Sequence, residues 1–224
     1  MCFYGANTDK GLIMESIRNS NNASIVLDVI NAIHENSAYL SEIDGATGDG
    51  DHGINMNKGF LLARDRIPTD ASFSEALRIV GRTLVMDIGG SMGPIYGTMF
   101  SRLSKTLKNE EEITKELFLH ALESATEGLM ELAGAKIGDK TLIDTLYPAK
   151  EAFKKSIEED KNFKQCLEEL AIGATSGKDN TRNLVAKIGR AARLGERSKG
   201  YLDAGATSCF IILKQMSESM QNQL

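Results

Sequence analysis

ASIVLDVINAIHEN, residues 23–36, places Val26, Val29, Ile30 and Ile33 at i, i+3, i+4 and i+7. That spacing puts all four on one face of a helix, which the pattern extends to about residue 40. The same period recurs along the chain. Ser72 with Glu75 reads as a capping box ahead of Leu77, Val80 and Leu84, and Asn109 with Glu112 repeats the device ahead of Ile113, Leu117, Ala121, Ala125 and Leu129. Further helices are expected from Thr141, from Asn162, from about Asp179, and from Ala206 to the C-terminus. Pro94 suits a first helical turn, whereas Pro148 should kink or delimit its helix. Period-two alternation is scarce, and FIIL at 210–213 is too short to separate strand from buried helix. The expectation is an all-α chain.

At 224 residues the chain suits one domain, or at most two small ones, with a sizeable core. The expected organisation is a single unit over residues 1–224, with residues 1–21 an irregular N-terminal extension. A hydrophobic share of 42% is ordinary for a globular protein, and a net charge of −5 argues against a nucleic-acid footprint. No apolar run approaches the ~20 residues that span a bilayer. MCFYGANTDKGLIMESIRN has no basic region followed by an apolar one, so no secretory signal is read and a cytoplasmic location is expected. Cys2, Cys166 and Cys209 are too scattered to suggest a disulfide framework or a thiolate metal site.

Four Gly-rich segments punctuate the helices: IDGATGDGDHGINM at 43–56, IGGSMGP at 88–94, GAKIGDKT at 134–141 and YLDAGATS at 201–208. Each leads into a helix, so antiparallel neighbours would gather them at one end of a bundle. In the first segment, Asp44, Asp49 and Asp51 crowd like charges among glycines, which stability alone does not favour. Their hard oxygen donors suit Mg²⁺ or Ca²⁺ over zinc or copper. An EF-hand is excluded: with Asp49 as position one, Ile54 stands where Gly is required and Phe60 where Glu is required. Three aspartates are too few for an all-protein cage but match one or two Mg²⁺ ions shared with a nucleotide. The competing reading is an Asx-turn in which Asp49 or Asp51 accepts backbone amides. His52 is a general base, a metal ligand or a polar wall against phosphate, with a positioning role favoured. His34 and His120 lie in helical stretches without an evident partner.

IGGSMGPIYGT resembles a phosphate cradle, because glycines let amides approach an anion at a helix N-terminus. It is neither a P-loop nor a Rossmann fingerprint. Asp203 in YLDAGATS either caps the last helix or joins a site. The basic run RNLVAKIGRAARLGERSKG is either a solvated helix face or a clamp for phosphate or an acidic partner.

Taken together, GDGDHGINM, GGSMGPIYGT, GDKTLIDTLYPA and LGERSKGYLDAGATS resemble the signatures of the ADP-binding L subunits of dihydroxyacetone kinases, in the family's order from about residue 22 onward. The resemblance implies a barrel of about eight antiparallel helices with nucleotide at one end. It implies that Asp44, Asp49 and Asp51 hold two Mg²⁺ ions bridging ADP or ATP phosphates. His52, Gly53, Ile54 and Asn55 would line the nucleotide beside them, Ser91 and Met92 would meet phosphate, and Gly134 and Leu142 would meet the nucleotide near its base. Arg190, Asp203, Ala204 and Gly205 would complete the pocket. Two departures stand out: Asp203-Ala204-Gly205 replaces the family's Asp-Pro-Gly, and Gly134 stands near, not at, the usual glycine before GDKT. His after Asp51, where fatty-acid kinase domains carry Thr, favours the sugar-kinase branch.

A free chain of this length is similar to the separate subunit of the phosphotransferase-coupled system. There, bound ADP is rephosphorylated by a phosphohistidine protein (the M subunit) and the phosphoryl group passes to dihydroxyacetone on a partner K subunit, so the chain alone would be inactive. The alternatives are an ATP-dependent kinase subunit for another small ketose, or a regulatory module docking a transcription factor through residues 182–199.

Overall fold

A computed structural model describes residues 15–224 of the chain. The opening helical period is buried as expected: Ile25, Val26, Val29, Ile30 and Ile33 are each no more than 1% exposed. They belong to α1 (Ser24–Glu35), which stops short of residue 40. Asn36 leaves helical geometry at φ −97° and ψ 7°, its side chain donating to the Ala32 carbonyl at 2.8 Å, and α2 (Ser37–Thr47) starts directly after it. There follow α3 (His52–Arg64), α4 (Phe73–Asp87), α5 (Met92–Leu107), α6 (Lys115–Ala133), α7 (Ile143–Glu158), α8 (Phe163–Asn180) and α9 (Ala204–Gln221). Two short strands, β1 (Ser16–Arg18) and β2 (Glu112–Thr114), pair antiparallel with Ile17 opposite Ile113. Of the expected irregular N-terminal extension, residues 1–14 lie outside the described residues and 16–18 form β1.

Helix starts follow local chemistry. Ser72 accepts the Glu75 amide at 3.0 Å to cap α4. Asn162 and Gln165 form a reciprocal capping box on α8. The expected cap at Asn109 is replaced: Glu112 lies in β2, and Thr114 caps α6 by accepting the Leu117 amide at 3.3 Å. Pro94 lies in the first turn of α5, as expected. Pro148 lies inside α7, which continues to Glu158. The Asp144 carbonyl, left without an amide partner by that proline, faces Gly177 of α8, where a Cβ would collide with it. FIIL at 210–213 lies within α9.

The helix expected from about Asp179 does not form; that position belongs to the end of α8. Residues 181–203 run irregularly, with 3₁₀ turns at Thr181–Asn183 and Arg190–Ser198, and Gly189, Gly195 and Gly200 adopt φ of 73°, 53° and 94°. The stretch has no apolar stripe to bury, and glycines at left-handed φ interrupt any regular ladder.

From α2 onward each helix packs on its successor, and α9 returns to α1 and α2. The interior is one hydrophobic cluster. Phe60 and Phe100 meet edge-on with centroids 5.6 Å apart, and Phe118, Phe153 and Phe163 form a second aromatic group. Contacts among His52, Tyr96, Leu142, Gly205 and Ser208 bring the starts of α3, α5, α7 and α9 to one end. No described helix is long and apolar enough to cross a membrane.

Candidate functional site

The expected acidic loop is mostly helix: only residues 48–51 separate α2 from α3. Asp44 lies in the last turn of α2, Asp49 in the loop, and Asp51 at the position preceding α3. Their carboxylates nevertheless converge, one oxygen from each lying within 4.8 Å of the others. Gly48 makes room for this, since a Cβ there would come within 2.5 Å of an Asp44 carboxylate oxygen. Asp51 makes no side-chain cap on α3, so the Asx-turn reading lacks its defining bond there.

The tight turn depends on a close helix crossing. Gly53 is buried, and a Cβ on it would penetrate the Ser37 carbonyl and come within 2.7 Å of Ser41 Oγ. The Ser41 hydroxyl is itself buried with no partner among the described residues. Ile54 is 66% exposed at the rim, and Asn55 donates its amide to the Asp51 carbonyl at 2.9 Å.

His52 starts α3 immediately behind the carboxylates, its amide 3.4 Å from Asp44 Oδ2. Its Nε2 lies 2.9 Å from Ser208 Oγ on α9, and that oxygen lies 2.5 Å from the Tyr96 hydroxyl on α5. Burial lowers the His52 ring to about 4, against the opposing pull of Asp44, so the imidazole is neutral at pH 7. Burial likewise pushes the Tyr96 phenol above its ordinary range.

Across the loop, Arg190 forms an ion pair with Asp49. Thr47, Gly48, Asp49, Arg190, Arg193 and Leu194 line a cavity of about 450 Å³. The clamp reading of the basic run therefore has geometry behind it at Arg190 and Arg193. The run holds its place through Lys140, which is 2% exposed and donates to the Leu184, Ser198 and Tyr201 carbonyls.

Asp203 caps α9, accepting the Ala206 amide at 2.7 Å. Burial raises its carboxyl to about 6, opposed by that amide and by Lys140. Ala204 and Gly205 form the first turn of α9. Gly205 lies against the backbone of Leu142, the residue preceding α7, and its carbonyl lies 3.1 Å from the Tyr96 hydroxyl. Ser91 and Met92 begin α5, Ser91 making no side-chain cap, and Gly134 ends α6 in the left-handed conformation at φ 60°.

Thus Asp44, Asp49, Asp51, His52 and Arg190 are brought into one constellation, with Leu142 and the start of α9 joined to it. Gly53 works as a packing glycine and Asp203 as a helix cap. Tyr96, Ser208 and Lys140 belong to the same region without having been singled out, whereas Arg193 comes from the basic run read as a clamp. Tyr96 and Ser208 lie inside the quoted Gly-rich segments, yet no local pattern marks a bond across 112 or 156 residues.

The family model described as the DAK2 domain matches residues 46–218. The chain is 33% identical over 183 residues to the ADP-binding subunit DhaL of the PEP-dependent dihydroxyacetone kinase of Escherichia coli (strain K12), covering 81% of this chain and 87% of that protein. It is also 33% identical over 186 residues to an L-erythrulose kinase of Pectobacterium atrosepticum, covering 81% of this chain but 32% of that protein. Among solved structures, the dihydroxyacetone kinase of C. freundii superposes with a TM-score of 0.67 at 23% identity, over 98% of this chain and 38% of that one.

Proposed function

The chain belongs to the DAK2 domain family, and we propose that it is the nucleotide-holding subunit of a dihydroxyacetone kinase that draws its phosphoryl group from phosphoenolpyruvate. The observation that carries this reading is the convergence of Asp44, Asp49 and Asp51 at the end of the bundle where α3 and α9 begin.

The donor set fits a hard divalent cation. It consists of carboxylate oxygens alone, Gly48 leaves the Asp44 carboxylate room, and Arg190 already sets a positive charge against Asp49. On this reading Asp44, Asp49 and Asp51 hold two Mg²⁺ ions beside ADP. Bound there, two such ions would offset four of the roughly six negative charges on the carboxylates and the diphosphate. His52, Gly53, Ile54 and Asn55 line the nucleotide from α3, and Ser91 and Met92 offer the start of α5 to phosphate oxygens. Arg190 balances phosphate charge from the facing segment, while Gly134, Leu142, Asp203, Ala204 and Gly205 close the far side. The protein's contribution is to position and to neutralise, which is most of what phosphoryl transfer asks of it.

The partners on this reading are a K subunit carrying dihydroxyacetone and a phosphohistidine donor protein. Docking of a transcriptional regulator on the basic segment 182–199 is a further use of the same surface. Reconstitution tests the assignment: the chain, a K subunit and a phosphohistidine donor should together phosphorylate dihydroxyacetone at the expense of phosphoenolpyruvate, and Asp49→Ala should abolish it. Native mass spectrometry should find ADP with two magnesium ions on the wild-type chain and neither on the variant. Turnover unaffected by Asp49→Ala would refute the reading.

The similarity to an L-erythrulose kinase supports a second reading, a kinase module for another small ketose using exchangeable ATP. Phosphorylation of erythrulose with ATP alone, in the absence of a phosphohistidine donor, would favour it.

A further inference from the structure

Three helices that begin at the site are stitched together by one chain of side-chain hydrogen bonds. His52 contributes the first residue of α3, Tyr96 comes from the second turn of α5, and Ser208 from the second turn of α9. Tyr96 is 2% exposed and Ser208 is fully buried, so water does not compete for these bonds. With Nε2 of His52 turned to Ser208, Nδ1 is the ring's other polar atom, and it makes no hydrogen bond among the described residues. A neutral imidazole carries one proton, so the partner at Nε2 sets what Nδ1 offers.

Ser208 and Tyr96 each bring one hydroxyl hydrogen, and the destination of those two hydrogens fixes the proton on His52. Ser208 Oγ lies 2.9 Å from His52 Nε2, 3.0 Å from the Ala204 carbonyl and 3.1 Å from the Gly205 carbonyl, and it has one hydrogen to give. If that hydrogen goes to a carbonyl or to the Tyr96 oxygen, Nε2 must donate and Nδ1 is a bare lone pair. If it goes to Nε2, Nδ1 carries the proton. Tyr96 tips the balance. A phenol is a stronger acid than an aliphatic alcohol, and its one hydrogen goes to Ser208 Oγ at 2.5 Å in preference to the Gly205 carbonyl at 3.1 Å. A serine that accepts from tyrosine becomes a better donor, and imidazole nitrogen is a stronger acceptor than an amide carbonyl in a helix.

We propose that Tyr96 and Ser208 are positioning residues that hold His52 with its proton on Nδ1, so that the ring meets an anion beside the acidic cluster as a hydrogen-bond donor. This narrows the three roles left open for His52. A protonated Nδ1 cannot ligate a cation or accept a proton, and a phosphate oxygen is its complement. The inference rests on the nucleotide reading for the identity of that anion, but the tautomer does not.

The test uses the full chain without ligand. Three histidines make ring nitrogen spectra tractable, and His52→Gln identifies the resonances. The wild-type ring should show Nδ1 protonated and Nε2 acting as acceptor, whereas a free neutral imidazole in water favours the proton on Nε2. Ser208→Ala and Tyr96→Phe should return His52 toward that free-ring preference and weaken Mg–ADP binding about tenfold, with binding of Mg²⁺ alone unchanged. A wild-type ring protonated at Nε2, or a tautomer indifferent to both variants, would overturn the proposal. Variants that only lower Tm, leaving tautomer and nucleotide affinity intact, would overturn it as well. Should either variant fail to fold, the wild-type tautomer still decides. A protein with the Nδ1 proton in place that binds no nucleotide would refute the proposed function and leave the relay standing.

Discussion

Arg190, in the irregular segment between α8 and α9, pairs its guanidinium with the carboxylate of Asp49, in the four-residue loop between α2 and α3. Both side chains are about half exposed, so the pair adds little to stability. Its consequence is competition: the guanidinium occupies a carboxylate that a cation would otherwise use. Arg190→Ala should therefore tighten binding of Mg²⁺ alone while weakening binding of Mg–ADP several-fold. Calorimetric titrations with the ion and with the complex separate the two, and a parallel change in both would count against the exchange.

Gly53 carries the crossing of α2 and α3. Gly53→Ala drives a methyl group into the Ser37 carbonyl and against the Ser41 amide nitrogen, both backbone atoms that cannot swing aside. Overpacking of this kind costs about 1–3 kcal/mol. The expected outcome is a lower urea midpoint with an unchanged slope, together with weaker Mg²⁺ binding as Asp51 shifts away from Asp44. An unaltered midpoint would show that the crossing relaxes freely.

Lys140 holds a buried ammonium on three backbone carbonyls, and its own φ of 62° is unusual for a residue with a side chain. Burial lowers its pKa, and nearby Asp203 opposes that effect. Lys140→Met leaves those carbonyls without their donor, at a cost of about 1–3 kcal/mol. Amide exchange should accelerate over residues 184–201 more than in α1 or α4, and Mg–ADP affinity should fall as Arg190 loses its anchorage. Uniform exchange across the chain would contradict this local role.

The raised carboxyl of Asp203 makes a signed prediction about pH. Its folded value of about 6 lies above that of an unfolded aspartate, so between about pH 4 and 6 the folded state holds more protons. Stability from this group is therefore present at low pH and is lost as pH rises toward 6, then stays level. Asp203→Asn keeps an oxygen to cap α9 but does not titrate. Its stability relative to wild type should rise by about 2–3 kcal/mol across that window and remain constant above it. Denaturation series at several pH values check this, and parallel curves for the two proteins would refute it.

Helical class, the main apolar faces and the acidic trio are legible in the sequence because they depend on spacing within a few residues. The period at Val26, Val29, Ile30 and Ile33, the caps at Ser72 and Asn162, and the crowding of Asp44, Asp49 and Asp51 are local patterns. Where local signals compete, tertiary context prevails. Glu112 leaves its expected cap to pair β2 with β1, and residues beyond Asn180 give up helix because their carbonyls meet Lys140 instead.

The amino-acid order alone determined that the chain would be helical and would carry three carboxylates in a glycine-rich turn. Only the tertiary structure decided that Arg190 faces Asp49, that Gly53 is a contact between helices, and that His52 is held from behind by Ser208 and Tyr96. The reason is range: helix period and capping act across three or four residues, whereas these contacts join segments more than a hundred residues apart, or two helix surfaces, and exist only once the bundle has packed.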